Sequence, residues 1–136
     1  MRKFVPLLII FFSGNLYSAE CVLSLQNGIG LSSSKSEIFN ILGQPVEKYS
    51  DFKNEKGAFN NGFSYHGMSF SFIDESLMSI YITNKKFALA NGVRVGGLLK
   101  SNEKQIDIFP KSTSNCWCRF GIKNNLISSI EMLCPL

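Results

Sequence analysis

The feature that most constrains this chain is a hairpin pattern over Gly67–Ile82. Apolar and small polar residues alternate on both sides of a short acidic break at Asp74-Glu75-Ser76. This alternation is typical of two half-buried antiparallel strands joined by a tight loop. With a three-residue loop at the break, one face of the hairpin is wholly apolar. The opposed apolar pairs are then Phe72 with Met78, Phe70 with Ile80, and Met68 with Ile82.

A second, shorter copy of this pattern follows towards the C-terminus. The matched strings keep their order along the chain: Asn27-Gly28-Ile29-Gly30-Leu31 with Asn91-Gly92-Val93-Arg94-Val95, Pro45 with Pro110, and Phe70-Ser71-Phe72 with Phe120-Gly121-Ile122. We therefore predict two pseudo-repeats, about residues 27–82 and 91–134. Each is predicted to contain a turn, a short helix and a β-hairpin.

A short helix is predicted near the start of each repeat. In the first, Ser34 and Glu37 have the spacing of a capping box, and the apolar residues after them share one helical face until Gly43. The match between repeats predicts the second helix over Asn102–Ile108. Helices that precede antiparallel hairpins indicate an α+β fold, with short helices on one face of an antiparallel sheet.

Residues 1–19 are predicted to be a secretory signal peptide. Arg2 and Lys3 precede the apolar run Phe4–Phe12, and small residues then lead to Ala19. Cleavage at that point, or one residue earlier, would leave residues 20–136 as a single exported domain. We expect that domain to reside in the periplasm.

No stable membrane anchor is expected. The apolar run of the signal is too short to span a bilayer, and Glu20 precedes Cys21 where a lipoprotein would need a small residue. Without the two basic residues of the signal, 12 basic and 10 acidic side chains remain, a net charge of +2. That charge is too small to indicate nucleic acid or a membrane surface as a partner.

The four cysteines all lie in the exported part, and an even number there favours two disulfides over metal ligation. A hairpin loop over Asn124-Asn125-Leu126 places Cys116 opposite Cys134, which leaves Cys118 to pair with Cys21. A Cys-x-Cys spacing is not that of a zinc site, and the single histidine is distant in sequence. We therefore expect neither a metal nor a cofactor.

No pattern in the chain indicates an enzyme. His66 has no cysteine or serine motif arranged around it, and a catalytic base needs a partner. The Ser32-x-x-Lys35 string lies in a helix start, where capping explains its serines better than nucleophilic catalysis does. Of the functional hypotheses considered below, a small hydrolase is therefore the least favoured.

The polar face of the predicted sheet is the main candidate site. The alternation places Tyr65, Ser69, Ser71, Ser79 and Tyr81 there from the first hairpin, and Trp117, Arg119, Ser129 and Glu131 from the second. Tyrosine, tryptophan and arginine dominate binding hot spots. The alternative is a solvated face whose aromatics are covered by the loop from Tyr49 to Phe59. That loop is itself a second candidate site, with Tyr49, Asp51 and Phe52 as contacts.

Several strings resemble those of known families. They are Ile29-Gly30-Leu31, Ser34 to Glu37, Ile41-Leu42-Gly43-Gln44-Pro45 and, later, Leu77-Met78-Ser79-Ile80. The pattern is similar to the β-lactamase inhibitory protein fold and to the BamE-like small outer-membrane assembly lipoproteins. In those families a Gly-x-Ser/Thr-x-x-Glu-Val string, followed by Leu-Gly-x-Pro, opens each repeat. The resemblance implies a fold of helix-plus-hairpin repeats.

Together these observations predict a periplasmic protein-binding module. Its most favoured role is that of an inhibitor or immunity protein that occludes a partner enzyme, such as a toxin or effector hydrolase. The alternative role is that of a non-inhibitory accessory factor in envelope or outer-membrane assembly.

Overall fold

The computed structural model describes residues 19–53, 59–111 and 114–135, with the side chains of 51–53 and 59 left out. Most of the predicted signal peptide lies outside these ranges. The elements in chain order are α1 (Lys35–Leu42), β1 (Glu47–Lys53), β2 (Phe59–Tyr65), β3 (Met68–Ile73), β4 (Ser76–Ile82), β5 (Gln105–Ile108), β6 (Trp117–Lys123) and β7 (Leu126–Leu133).

The strands form one antiparallel sheet in the order β1-β2-β3-β4-β7-β6-β5. The predicted α+β class is wrong: the fold is dominated by its sheet, and α1 is the single α-helix in the described part of the chain. The inner face of the sheet is covered chiefly by irregular segments before α1 and after β4, which pack their apolar side chains against it.

The second predicted helix, over Asn102–Ile108, is also wrong, because this segment contains strand β5. Ile106 and Ile108 alternate with polar residues, so a strand directs both towards the core while it pairs with β6. No capping box at Ser101 favours a helix here, because the residue three positions later is Lys104 rather than a glutamate or glutamine. The alternation of apolar and polar residues therefore decides the conformation, and the segment forms a strand.

The predicted helix start in the first repeat is confirmed. The Ser34 hydroxyl accepts a hydrogen bond from the Glu37 backbone N–H (3.2 Å), and the Glu37 carboxylate accepts one from the Ser34 N–H (2.8 Å). The bond from the Ser34 N–H to the carboxylate is the main cause that holds the pKa of Glu37 below its ordinary value. Ile38 is fully buried, and the Phe39 ring lies 4.8 Å from that of Phe63. A helix of eight residues depends on such docking.

The first hairpin follows the predicted register at its base but not at its tip. Phe70 lies opposite Ile80, as predicted, whereas Phe72 lies opposite Leu77 rather than Met78. The loop has two residues instead of three, because a register shift after Ser71 accommodates the extra residue as an irregularity in the ladder. The second hairpin repeats this shift.

The turn of the second hairpin explains its two-residue loop. Asn124 and Asn125 have φ angles of 55° and 61°, a left-handed conformation that asparagine tolerates better than most residues. Leu126, predicted to lie in the loop, instead begins β7 and pairs with Lys123. The predicted pairing of Phe120 with Ile130 is confirmed.

Both predicted disulfides are present. Cys21 is joined to Cys118, with 5.4 Å between their Cα atoms, and Cys116 to Cys134, with 4.2 Å. The first ties the start of the described chain to the inner face of β6, and the second closes the open end of the second hairpin. These bonds fit an exported protein. No helix in the described ranges is both long and apolar enough to cross a membrane.

The register between β4 and β7 is symmetric about one residue pair. Across β4 and β7, Tyr81 lies opposite Glu131, with Ile80–Met132 and Ile82–Ile130 as the flanking pairs. The predicted repeat match makes Tyr81 and Glu131 equivalent positions, and the register is symmetric about this pair. The matched turns at Asn27-Gly28 and Asn91-Gly92 contain the same hydrogen bond. The Ile29 N–H donates to the Asn27 side chain (3.0 Å), and the Val93 N–H donates to that of Asn91 (3.2 Å). The pseudo-repeats themselves stay a prediction.

Candidate functional site

The face of the sheet turned away from α1, here called the outer face, carries two neighbouring rows of side chains. Both rows follow from the strand register, since residues paired across successive antiparallel strands share one face. The first row is Glu47, Ser64, Ser69, Tyr81, Glu131, Arg119 and Asp107, and the second is Tyr49, Gly62, Ser71, Ser79, Leu133 and Trp117.

Five of the predicted contact residues lie in these rows. They are Tyr49, Tyr81, Trp117, Arg119 and Glu131. The backbones of Asp51 and Phe52 belong to β1, but their side chains lie outside the described part of the structure. Within the candidate segment from Tyr49 to Phe59, β1 continues to Lys53, and residues 54–58 lie outside the described ranges.

Tyr65 was predicted on this face, and that placement is wrong. A two-residue turn at His66-Gly67 pairs Tyr65 with Met68, which is buried on the inner face. A change of one residue in register moves a side chain to the opposite face. The Tyr65 hydroxyl donates to the carbonyl of Gly43 (2.9 Å), which anchors the end of α1, and burial raises the pKa of Tyr65.

Tyr49 is fixed over the neighbouring strands. Its hydroxyl is 3.0 Å from that of Ser71 and 3.3 Å from the carbonyl oxygen of Phe70. The ring crosses β2 at Gly62, where a side-chain carbon would collide with the tyrosine. Tyr49 therefore covers the sheet in the first half, and 36% of its surface stays exposed.

The charged centre of the outer face lies in the second half. Arg119 donates to both carboxylate oxygens of Asp107, at 2.9 and 3.4 Å, and these bonds raise the pKa of Arg119. Glu131 stands between Arg119 and Tyr81 in the row. Burial raises the pKa of Glu131, the charge of Arg119 opposes that rise, and the charge of Asp107 adds to it.

An aromatic group flanks this centre. The ring of Phe109 lies 5.8 Å from that of Trp117 at an angle of 31°, and Phe109 is 64% exposed. Leu133 lies opposite Trp117, and Tyr81 in the adjacent row is 42% exposed. The Trp117 Nε1 atom is buried, and no acceptor in the described part of the chain reaches it.

Three members of the site escaped the sequence analysis: Asp107, Phe109 and Leu133. The signal for Asp107 was present in the alternation of residues 105–108, which predicts a strand and hence a partner for Arg119 on β6. The helix inferred from the repeat obscured it. Phe109 and Leu133 depend on how β5 and β7 lie beside β6, which short-range pattern does not contain.

The outer face combines residue types that are common in protein interfaces. Aromatic, aliphatic and charged groups stand on a continuous sheet braced by a disulfide. His66 lies exposed at the turn after β2, and its carbonyl accepts from the Asn84 amide (3.2 Å). Among the described residues, no group of three histidine, cysteine, aspartate or glutamate side chains could hold a metal ion.

Comparison with known proteins supports the fold and goes no further. No protein-family model matches the chain, and no curated protein matches it. The chain is similar to the crystal structure of the uncharacterized protein yfeY from Escherichia coli, with a TM-score of 0.51 and 11% identity over 81% of this chain and 95% of that one. At this identity the likeness concerns the fold alone. The resemblance to the inhibitory proteins and assembly lipoproteins stays a prediction.

Proposed function

We propose that this chain is a periplasmic protein-binding module that acts as an inhibitor or immunity protein. Its outer face would cover the cleft of a partner enzyme and exclude the substrate. This mechanism needs no catalytic group or cofactor in the chain itself. The signal-peptide pattern and the two disulfides support export.

One observation carries the proposal. Tyr81, Trp117 and Arg119, all of residue types that dominate binding energy, stand on neighbouring rows of one face together with exposed Phe109. The face belongs to hydrogen-bonded strands rather than to a loop, so little conformational freedom is lost when a partner binds. Such a surface suits occlusion.

The test begins with tagged protein expressed in the periplasm of its host, together with any neighbouring toxin gene, and with identification of stoichiometric partners. The triple variant Tyr81→Ala, Trp117→Ala, Arg119→Ala should lose the partner. Hot-spot truncations cost about 2 kcal/mol or more each, so we expect an affinity loss on the order of 100-fold or more. Titrating the purified partner with the wild-type protein should then abolish its enzymatic activity.

A matched control replaces exposed residues away from the outer face: Ile41→Ala, Lys86→Ala and Arg94→Ala. This variant should bind as the wild type does, and circular dichroism should confirm that both triple variants are folded. Normal binding by the outer-face variant would overturn the proposal. Capture of outer-membrane assembly components, with no enzyme inhibited, would favour the accessory role instead.

A further inference from the structure

The centre of the outer face holds a half-buried carboxylate, that of Glu131. Glu131 lies on the central strand β7, with Tyr81 of β4 on one side and Arg119 of β6 on the other. Arg119 is nearest in the row, but its guanidinium donates to both oxygens of Asp107 on its far side. No hydrogen bond or salt bridge to Glu131 occurs within the described part of the chain.

Glu37 shows what a carboxylate used by the fold looks like. It accepts the Ser34 N–H, and this bond lowers its pKa. Glu131 is half-buried, and burial raises its pKa. The free protein thus holds Glu131 where its charge is unfavourable, a property more common at functional sites than at structural ones.

The charge of the face indicates what would contact it. The two rows contain three carboxylates, those of Glu47, Asp107 and Glu131, against the single guanidinium of Arg119. The exported chain as a whole is expected to be net basic, with 12 basic and 10 acidic side chains. The outer face is therefore acidic relative to the rest of the surface and complements a basic partner surface.

We propose that the outer face receives an arginine or lysine side chain of the partner protein between the ring of Tyr81 and the carboxylate of Glu131. The exposed ring offers a cation–π contact, and the carboxylate a charge-assisted hydrogen bond. Desolvation by the partner strengthens both contacts. This inference rests on the proposed function, since it assigns the chemistry by which the same face recognises its partner.

The test uses random dodecapeptides displayed on phage as the probe. Selection on the wild-type protein, with the outer-face triple variant as the counter-selection, should enrich peptides with an arginine or lysine beside apolar residues. Glu131→Gln keeps the shape and removes the charge, and it should weaken the best peptide about tenfold. Glu47→Gln, on the same row at the far edge of the sheet, is the matched control and should change affinity less than twofold.

A double-mutant cycle identifies the contact. Replacing the peptide arginine by citrulline should cost the same tenfold against the wild type and almost nothing against Glu131→Gln. Enriched peptides without basic residues, or equal binding to Glu131→Gln, would overturn the inference. If the captured partner loses affinity for the outer-face triple variant but not for Glu131→Gln, this inference fails while the proposed function stands. If that partner tolerates the triple variant, the proposed function fails.

Discussion

The segments Ser34–Gly43 and Leu99–Ile108 occupy matched places in the two predicted repeats, yet one contains a helix and the other a strand. In the first, a complete capping box precedes apolar residues spaced three and four apart. In the second, Leu99 and Asn102 stand at the places of Ser34 and Glu37, so the capping pair is absent, and isoleucines alternate with polar residues. The Ser101 hydroxyl instead accepts from the Glu103 N–H (3.0 Å), a local turn.

This difference has consequences at the neighbouring positions. In the first half, α1 covers the inner face over Phe63, and β1 extends the sheet beyond β2. In the second half, β5 ends the sheet, and the first disulfide holds the N-terminal segment against β6. The change also places Asp107 opposite Arg119 on the outer face. Thus one local choice of conformation alters both the core cover and the candidate site.

The largest loss of stability is expected from removing the Cys21–Cys118 disulfide. Cys21 and Cys118 are 97 residues apart, and Cys116 and Cys134 are 18 apart. Loop-closure entropy predicts a loss of about 4.7 kcal/mol for a loop on the order of 100 residues and about 3 kcal/mol for the shorter one. Urea unfolding of the two double-alanine variants should therefore show the Cys21–Cys118 variant to be the less stable. Equal stabilities would contradict this ranking.

The next largest loss of stability is expected from truncating a core residue of α1, which we compare with truncating one of β5. Ile38 is fully buried, whereas Ile106 is partly buried. Ile38→Ala should cost about 2–5 kcal/mol of unfolding free energy, and Ile106→Ala should cost less because less surface is buried and no closed cavity is left. Thermal and urea unfolding would measure both. A greater loss at Ile106 would mean that β5, rather than α1, dominates the packing of its half.

The smallest effect tests the caps themselves. Ser34→Ala should cost about 1 kcal/mol because it removes an N-cap, whereas Ser101→Ala removes only a turn contact and should cost less.

The hydrogen bond to the Glu37 carboxylate should also make stability depend on pH. Its pKa is lowered in the fold, so its stabilisation is present above its ordinary pKa of 4.5 and is lost as the pH falls through the folded value. Unfolding at pH 7 and below 4 would measure both effects.

Glu37→Gln is the control for the pH signature. A glutamine oxygen can still accept the Ser34 N–H but does not titrate in this range. The variant should therefore lose less stability than the wild type on acidification. An identical acid response in the two proteins would assign the pH dependence to other groups.

Local chemistry made several features predictable. The capping box over Ser34 and Glu37 is a contact between residues three apart, and hairpin registers follow from alternation around a turn. The same register placed Cys116 opposite Cys134 and so determined both disulfides by elimination. Tyr81, Trp117, Arg119 and Glu131 share a face for this reason.

Two predictions were wrong for different reasons. In one the length of a turn was uncertain by one residue, and in the other a segment was assigned from its match to the first repeat. Tyr65 changed face because the turn at His66-Gly67 has two residues, a length that the alternation alone does not specify. Residues 102–108 were assigned by their match to α1, although their own alternation indicates a strand. In both places a small local difference decided the direction of side chains.

By itself the sequence determined the base of each hairpin register, the cap of α1, the cysteine pairing and the shared face of Tyr81, Trp117, Arg119 and Glu131. Each depends on residues close in sequence or directly opposed in a hairpin. Only the tertiary structure decided that β4 and β7 join the halves, that β5 pairs with β6, and that Asp107 engages Arg119 beside Glu131. These features depend on contacts between segments distant along the chain. Their energy comes from burying the inner face of the whole sheet, which no single segment can do alone.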